Sequence, residues 1–218
     1  MSWNECLYHY YKTHGGSFLA GQDDDALLVL TWKDRPLAVD LYRVSGRYGT
    51  SDYVQARIPV TLGRPYQLTI GPERRLSGGV NTVLKTVPGL PDHNLLPGDF
   101  GFPEVTKKRL IRSDDHDFTK LVLGNLDFRN ALLACPMERL EVRPGPGDEG
   151  LHLITVTTGT TASSATSDWY LWPSGDPYSI STGEEERVRR IETEFFPRLD
   201  RFLDLIRAAY SAVTQWPM

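Results

Sequence analysis

The sequence predicts an α+β fold: antiparallel strands in one or two curved sheets, an N-terminal helix, short central helices and a long C-terminal helix packed across a sheet. Two observations predict it. Apolar and polar residues alternate through several segments between residues 26 and 70, joined by short polar connections that suit an antiparallel meander. Apolar residues recur instead at helical spacing near both ends of the chain.

The first helix is predicted to begin beside Ser2. Ser2 and Glu5 have the spacing of a capping box, in which each side chain satisfies a free backbone donor of the other. Gly15 and the glycine after it end the segment. The residues at helical spacing form an aromatic face and are Trp3, Leu7, Tyr10, Tyr11 and His14.

The clearest strand is predicted over residues 53–62. Val54, Ala56, Ile58 and Val60 point one way, and the residues between them are polar apart from Pro59. Proline lacks the N–H that a ladder needs, so Pro59 predicts an edge position or a bulge.

The chain is predicted to be one domain with two sub-regions. Residues 1–87 hold the first helix, the meander and a further helix over residues 76–87, and residues 104–218 hold the remaining elements. Residues 88–103 are dense in proline and glycine, so they predict an ordered loop or hinge between the two.

The central unit is predicted as a strand over residues 105–112, an acidic turn, two short helices and a hairpin over residues 140–157. The antiparallel meander, the stop at Gly71 and Pro72, the short helix and the strand that reaches a Ser-Asp-Asp turn resemble an uncharacterised group of bacterial proteins. The resemblance covers roughly the middle half of the chain. It implies an α+β fold and assigns no catalytic residue.

The last helix is predicted from two overlapping capping boxes, which begin at Ser181 and Thr182. Pro197 interrupts the helix and predicts a kink or a division into two helices. An apolar stripe predicts that this helix covers one face of the sheet. The stripe consists of Ile191, Phe195, Leu199, Phe202, Ile206 and Val213.

Composition excludes several classes of protein. The chain has 218 residues, 24 basic against 28 acidic, with the two signs interleaved, which argues against a nucleic-acid partner. No apolar run reaches the roughly 18 residues that span a bilayer, so we expect no membrane segment. Cys6 and Cys135 are too few for a disulfide framework and indicate a reducing, cytoplasmic setting.

Two clusters carry residue types that bind metal ions. Asp114, Asp115 and Asp117, with His116 between them, are typical of a divalent-cation site or an acid–base cluster, but their place at a helix start favours capping.

Cys6, His9 and His14 also contain metal-ligating atoms. His9 and His14 point in different directions on a helix, so packing is favoured over a zinc site. We therefore predict no metal and no cofactor.

No motif of nucleophilic catalysis or phosphate binding is present, so the enzyme class stays open and a non-enzymatic role is favoured. Trp169, Tyr170, Trp172 and Tyr178 follow a loop rich in serine and threonine. Tyrosine and tryptophan are enriched at the energetic centres of interfaces, whereas packing under the last helix is the alternative. The leading hypothesis is a module that binds a protein partner or associates with itself.

Two alternatives remain. A carrier of a small apolar ligand would enclose a cavity between the sheet and the last helix, lined by Trp32, Phe195 and Phe202. A metal-dependent hydrolase would use the aspartates of the acidic turn, although no general base or nucleophile is paired with them.

Overall fold

The structure is a computed structural model. Its framework is an antiparallel sheet with helices packed against one face. The structure describes residues 2–22, 25–46, 49–72, 95–135, 137–147, 150–159 and 183–216. The helices are α1 (Trp3–His14), α2 (Pro103–Thr106), α3 (His116–Gly124), α4 (Leu126–Ala134), α5 (Glu184–Arg190) and α6 (Phe196–Thr214). The strands are β1 (Ser17–Leu19), β2 (Leu27–Trp32), β3 (Arg35–Gly46), β4 (Gly49–Thr61), β5 (Leu68–Pro72), β6 (Leu96–Pro97), β7 (Arg109–Ser113), β8 (Arg139–Pro144) and β9 (Leu151–Gly159).

Within the described residues, nine strands form one sheet in the order β1-β2-β3-β4-β9-β8-β5-β7-β6. All of its pairings are antiparallel, which confirms the predicted fold class. β4 pairs with β9, and β5 lies between β7 and β8. Both predicted sub-regions therefore contribute strands to the same sheet. The helix predicted over residues 76–87 lies outside the described residues.

Alternation along β4 builds one wall of the core. Val54, Ala56, Ile58 and Val60 are buried on the helix-covered face, as predicted. β4 pairs with β3 only as far as Arg57, and beyond that point it pairs with β9 alone. Pro59 therefore occupies a stretch that is locally an edge, which is a position where a missing N–H is tolerated.

The core is closed on one side by α1 and α6. Trp3 of α1 packs edge-on against Phe195, with ring centroids 5.9 Å apart. Phe195 and Phe202 have no exposed surface, and the apolar stripe of α6 faces the sheet. The last helix thus covers the sheet as predicted.

The strand predicted from residue 105 begins later than expected. Residues 103–106 form the helical turn α2, and β7 starts at Arg109. Pro103 has the fixed φ that suits the first turn of a helix, and the amides of Thr106 and Lys107 donate to the carbonyls of Phe102 and Pro103. Tight local hydrogen bonds therefore override the apolar–polar alternation that suggested a strand.

A π-helical turn over Ile191–Phe195 joins α5 to α6. The Phe196 amide donates to the Ile191 carbonyl five residues back, immediately before Pro197, which has no N–H to donate. The predicted interruption at Pro197 is therefore a local widening of a continuous helical segment.

α5 begins at Glu184, with Gly183 as its N-cap. The capping boxes predicted from Ser181 and Thr182 lie outside the described residues. The capping box predicted for α1 is confirmed in its first half, because Ser2 Oγ accepts a hydrogen bond from the Glu5 amide at 3.0 Å.

No helix in the described part of the chain has both the length and the apolar character that a bilayer span requires. Cys6 and Cys135 are buried and are not joined by a disulfide bond.

Candidate functional site

A cleft of about 370 Å³ lies where α1, β2 and α6 meet. Its position follows from the fold, because α1 and α6 pack side by side on the same face of the sheet. Its walls contain both charged and apolar side chains. The lining residues are Tyr10, His14, Gly16, Leu30, Thr31, Asp200 and Arg207.

Tyr10 and Asp200 form the base of the cleft. The Tyr10 hydroxyl donates to Asp200 Oδ1 at 2.7 Å and ties α1 to α6 across 190 residues of chain. Burial raises the pKa of Tyr10, and the hydrogen bond and the negative charge of Asp200 raise it further. The hydroxyl therefore stays protonated and acts as a fixed donor that orients the carboxylate.

His14 lies parallel on the Tyr10 ring, with centroids 4.0 Å apart and 14° between the planes. Its Nδ1 lies 3.1 Å from the Tyr10 carbonyl oxygen. An acceptor at that distance selects the tautomer in which Nδ1 carries the hydrogen, so Nε2 is left as an acceptor. Phe196 meets both rings edge-on, with centroids 5.1 Å from Tyr10 and 5.3 Å from His14.

Arg207 forms the opposite wall, seven residues after Asp200 on α6. Its Nη1 donates to Asp204 Oδ1 at 3.2 Å, in a pair whose carboxylate is largely exposed. The guanidinium also lies over the Trp32 ring, 5.2 Å from the centroid. Stacking on an indole holds the flat guanidinium in place, so the side chain is oriented before any ligand arrives.

A π-helical turn lies next to this cleft. It ends at Phe195, and the next residue, Phe196, packs against the Tyr10 and His14 rings. Asp200 follows one helical turn later and bonds to Tyr10. Single π-helical turns are frequent at functional sites, and this one directly precedes the α6 residues that line the cleft.

Several polar atoms of the residues that line the cleft have no hydrogen-bond partner among the residues that the structure describes. They are an acceptor on Asp200 (Oδ2), two donors on Arg207 (Nε and Nη2) and an acceptor on His14 (Nε2). Asp200 contributes a negative charge, and Arg207 contributes a positive charge that it shares with the exposed carboxylate of Asp204. The cleft therefore offers a ligand several directed hydrogen bonds and two opposite charges.

The predicted acidic turn does not form such a site. Asp115 is the N-cap of α3, and its Oδ1 accepts from the Phe118 amide at 2.9 Å, which confirms the capping interpretation for this residue. Asp114 Oδ1 accepts from the Gln67 amide at 2.8 Å, and Asp115 Oδ2 also meets Arg64 at 3.0 Å. Asp117 is exposed in the first turn of α3.

Behind this turn lies a buried network of hydroxyl groups. Thr119 Oγ1 is at its centre, 2.9 Å from the Tyr66 hydroxyl and 2.7 Å from both Ser113 Oγ and the Asp115 carbonyl oxygen. His152 Nε2 accepts from the Tyr66 amide at 3.1 Å. These groups satisfy one another and hold β5, β7, β9 and α3 together.

The other predicted metal-ligating residues are dispersed. Cys6 is fully buried, His9 is half-buried beside the Tyr8 ring, and His14 is engaged with Tyr10. No group of three or more metal-ligating side chains converges anywhere in the described ranges.

Of the cleft residues, sequence reasoning singled out only Tyr10 and His14, as part of an aromatic helix face. Asp200 and Arg207 were not identified from the sequence as site residues. Their opposite charges, seven residues apart on the predicted helix after Pro197, are the sequence feature that could have indicated them. The predicted interaction surface of Trp169, Tyr170, Trp172 and Tyr178 lies outside the described residues.

Comparison with known proteins adds a likeness of fold. No protein-family model matches the chain, and no curated protein matches it. A solved structure described as the crystal structure of the mycobacterial trehalose monomycolate transport factor A, TtfA, is similar, with a TM-score of 0.51 and 8% sequence identity. The match covers 99% of this chain and 96% of that chain. At this identity the likeness concerns the fold alone, over the full length of the chain.

Proposed function

We propose that the protein is a non-enzymatic binding protein that takes a small polar ligand into the cleft between α1, β2 and α6. One observation carries the proposal. A carboxylate, a guanidinium and an imidazole nitrogen line one concave site, and each has an atom without a hydrogen-bond partner among the described residues. Small-molecule sites combine an apolar wall with a few convergent polar groups in this way.

The chemistry of the cleft supports binding over catalysis. Tyr10 is held as a protonated donor to Asp200, so it supplies neither a nucleophile nor a base. His14 directs Nδ1 at a backbone carbonyl, whereas an activated imidazole is usually oriented by a carboxylate and paired with a nucleophile. No hydroxyl or thiol nucleophile among the lining residues stands in a triad with it.

The structural neighbour is described as a transport factor, which supports a non-enzymatic role. The apolar-carrier alternative, with a cavity lined by Trp32, Phe195 and Phe202, stays a prediction. Phe195 and Phe202 are fully buried core residues, and Arg207 packs over Trp32. The protein-partner hypothesis depends on the aromatic segment that begins at Trp169 and stays a prediction.

The proposal is tested by amide chemical-shift mapping with a mixture of amino acids, dipeptides, polyols and organic acids at millimolar concentration. We expect a member of the mixture to shift the amides of His14, Gly16 and Thr31. Thr31→Tyr puts a large side chain that suits a strand at a residue lining the cleft, and we expect it to abolish the shifts.

Thr61→Tyr is the matched control, because Thr61 is also an exposed strand residue but lies outside the cleft. It should leave binding unchanged. The proposal is wrong if no member of the mixture shifts the cleft amides, or if Thr31→Tyr and Thr61→Tyr have the same effect.

A further inference from the structure

We infer that the ligand is a zwitterion whose ammonium and carboxylate groups are separated by several ångströms, as in a dipeptide or an ω-amino acid. The inference rests on the proposed function and adds the chemical class of the ligand. Asp200 binds the ammonium group of this ligand, and Arg207 binds its carboxylate.

The charges of the cleft favour this class over ions of a single sign. A simple anion would meet Arg207 but would be repelled by Asp200, which lines the same cleft. A simple cation would meet Asp200 but would be repelled by Arg207, whose pairing with the exposed Asp204 is solvent-screened. Since both charged groups line one cleft, a ligand with both signs satisfies each of them.

The spacing of the two charges sets the length of the ligand. Asp200 and Arg207 are seven residues apart on one helix, which is about 10 Å along the axis. Helical side chains lean toward the N-terminus, so the long Arg207 side chain leans back toward Asp200 and shortens the gap. An extended dipeptide spans about 7 Å, whereas the two charged groups of an α-amino acid are too close together to meet both residues.

The remaining groups suit the middle of such a ligand. His14 Nε2 accepts an N–H, as a peptide amide offers. Leu30 adds an apolar side chain to the lining. A volume of about 370 Å³ holds a molecule of dipeptide size.

The test measures dissociation constants by titration calorimetry for four probes. Glycylglycine and 5-aminopentanoate carry both charges, N-acetylglycylglycine lacks the ammonium group and glycylglycine amide lacks the carboxylate. We expect each single-charge probe to bind at least about tenfold more weakly than glycylglycine, as the loss of one ion pair implies. Equal binding of 5-aminopentanoate would support recognition of charge spacing alone, whereas preference for glycylglycine would support added contacts to the amide.

Two variants assign the charges. Asp200→Asn keeps an oxygen for the Tyr10 hydroxyl and should remove only the discrimination against N-acetylglycylglycine. Arg207→Gln should remove only the discrimination against glycylglycine amide. Because each variant changes a ratio of affinities, a modest loss of overall stability leaves the readout intact.

The outcomes separate this inference from the proposed function. If the single-charge probes or a polyol bind in the cleft as tightly as glycylglycine, the zwitterion is wrong and the binding function stands. If nothing in the metabolite mixture shifts the cleft amides, the proposed function itself fails. If both variants weaken all four probes by the same factor, the assignment of Asp200 and Arg207 to separate charges is wrong.

Discussion

Tyr66 and Tyr10 share a chemistry but occupy two different kinds of region. Both rings are buried, and burial raises the pKa of both hydroxyls. Tyr66 joins a closed network with Thr119 and Ser113, in which each hydroxyl meets another protein group. Tyr10 instead meets Asp200, whose second oxygen remains available at an open cleft.

This difference between the two tyrosines distinguishes a hydrogen-bond network that stabilises the fold from one that can also bind a ligand. Buried polar groups that satisfy one another fix the relative positions of strands and helices, and they have no capacity left for a ligand. A polar side chain that is hydrogen-bonded to the protein through only one of its atoms keeps its other donors or acceptors for a ligand. In this protein the closed network lies under α3, and the open one lies between α1 and α6.

The largest expected effect concerns two buried titratable groups at alkaline pH, Tyr66 of the closed network and Cys135 at the end of α4. Burial raises the pKa of the Cys135 thiol from 9.0 to about 12 and raises the pKa of Tyr66 above its ordinary value. Between pH 9 and 12 the folded state keeps protons that the unfolded state loses. The free energy of unfolding therefore falls as pH rises, by about 1.4 kcal/mol per pH unit for each such group.

Urea unfolding measured at intervals from pH 7 to pH 12 checks this prediction. Cys135→Ala should make the decline shallower above pH 9, and Tyr66→Phe should do so above pH 10. Below pH 8 both variants should run parallel to the parent protein. Rapid alkylation of Cys135 in the folded protein at pH 9 would show that this thiol is accessible and would contradict the prediction.

A matched pair of threonines gives the second prediction. Thr119→Val removes the hydroxyl at the centre of the network and should lower the free energy of unfolding by about 2–3 kcal/mol, because several buried partners lose a hydrogen bond. Thr31→Val removes the hydroxyl of an exposed strand residue and should change stability by no more than about 0.5 kcal/mol. Chemical denaturation of both variants measures the contrast, which disappears if the network is open to water.

Local features of the fold were predictable because short-range chemistry decides them. Ser2 caps α1 through the amide three residues on, and Asp115 caps α3 in the same way. The alternation along β4 marked its buried face correctly. Local chemistry also explains the error near residue 105, where Pro103 and its hydrogen bonds form a helical turn.

The cleft was not predictable, because it depends on long-range pairing. Tyr10 and Asp200 are 190 residues apart and meet only because α1 and α6 both pack against the same core. Pro197 signalled an interruption of the last helix but not its form, which is a π-helical turn just before it. Neither the register of the sheet nor the phase of that helix can be read from residue spacing.

The smallest expected effect tests whether the acidic turn belongs with the closed region. Asp115→Ala removes the N-cap of α3 and should lower the free energy of unfolding by about 1 kcal/mol. Asp115→Asn keeps a capping oxygen and should cost only a few tenths of that, since the ion pair with Arg64 is exposed and contributes little. Millimolar Mg²⁺, Mn²⁺ or Ca²⁺ should leave the melting temperature unchanged. A cation-dependent rise that is lost in Asp115→Asn would instead place this turn with the open cleft, as a second site with capacity for a ligand.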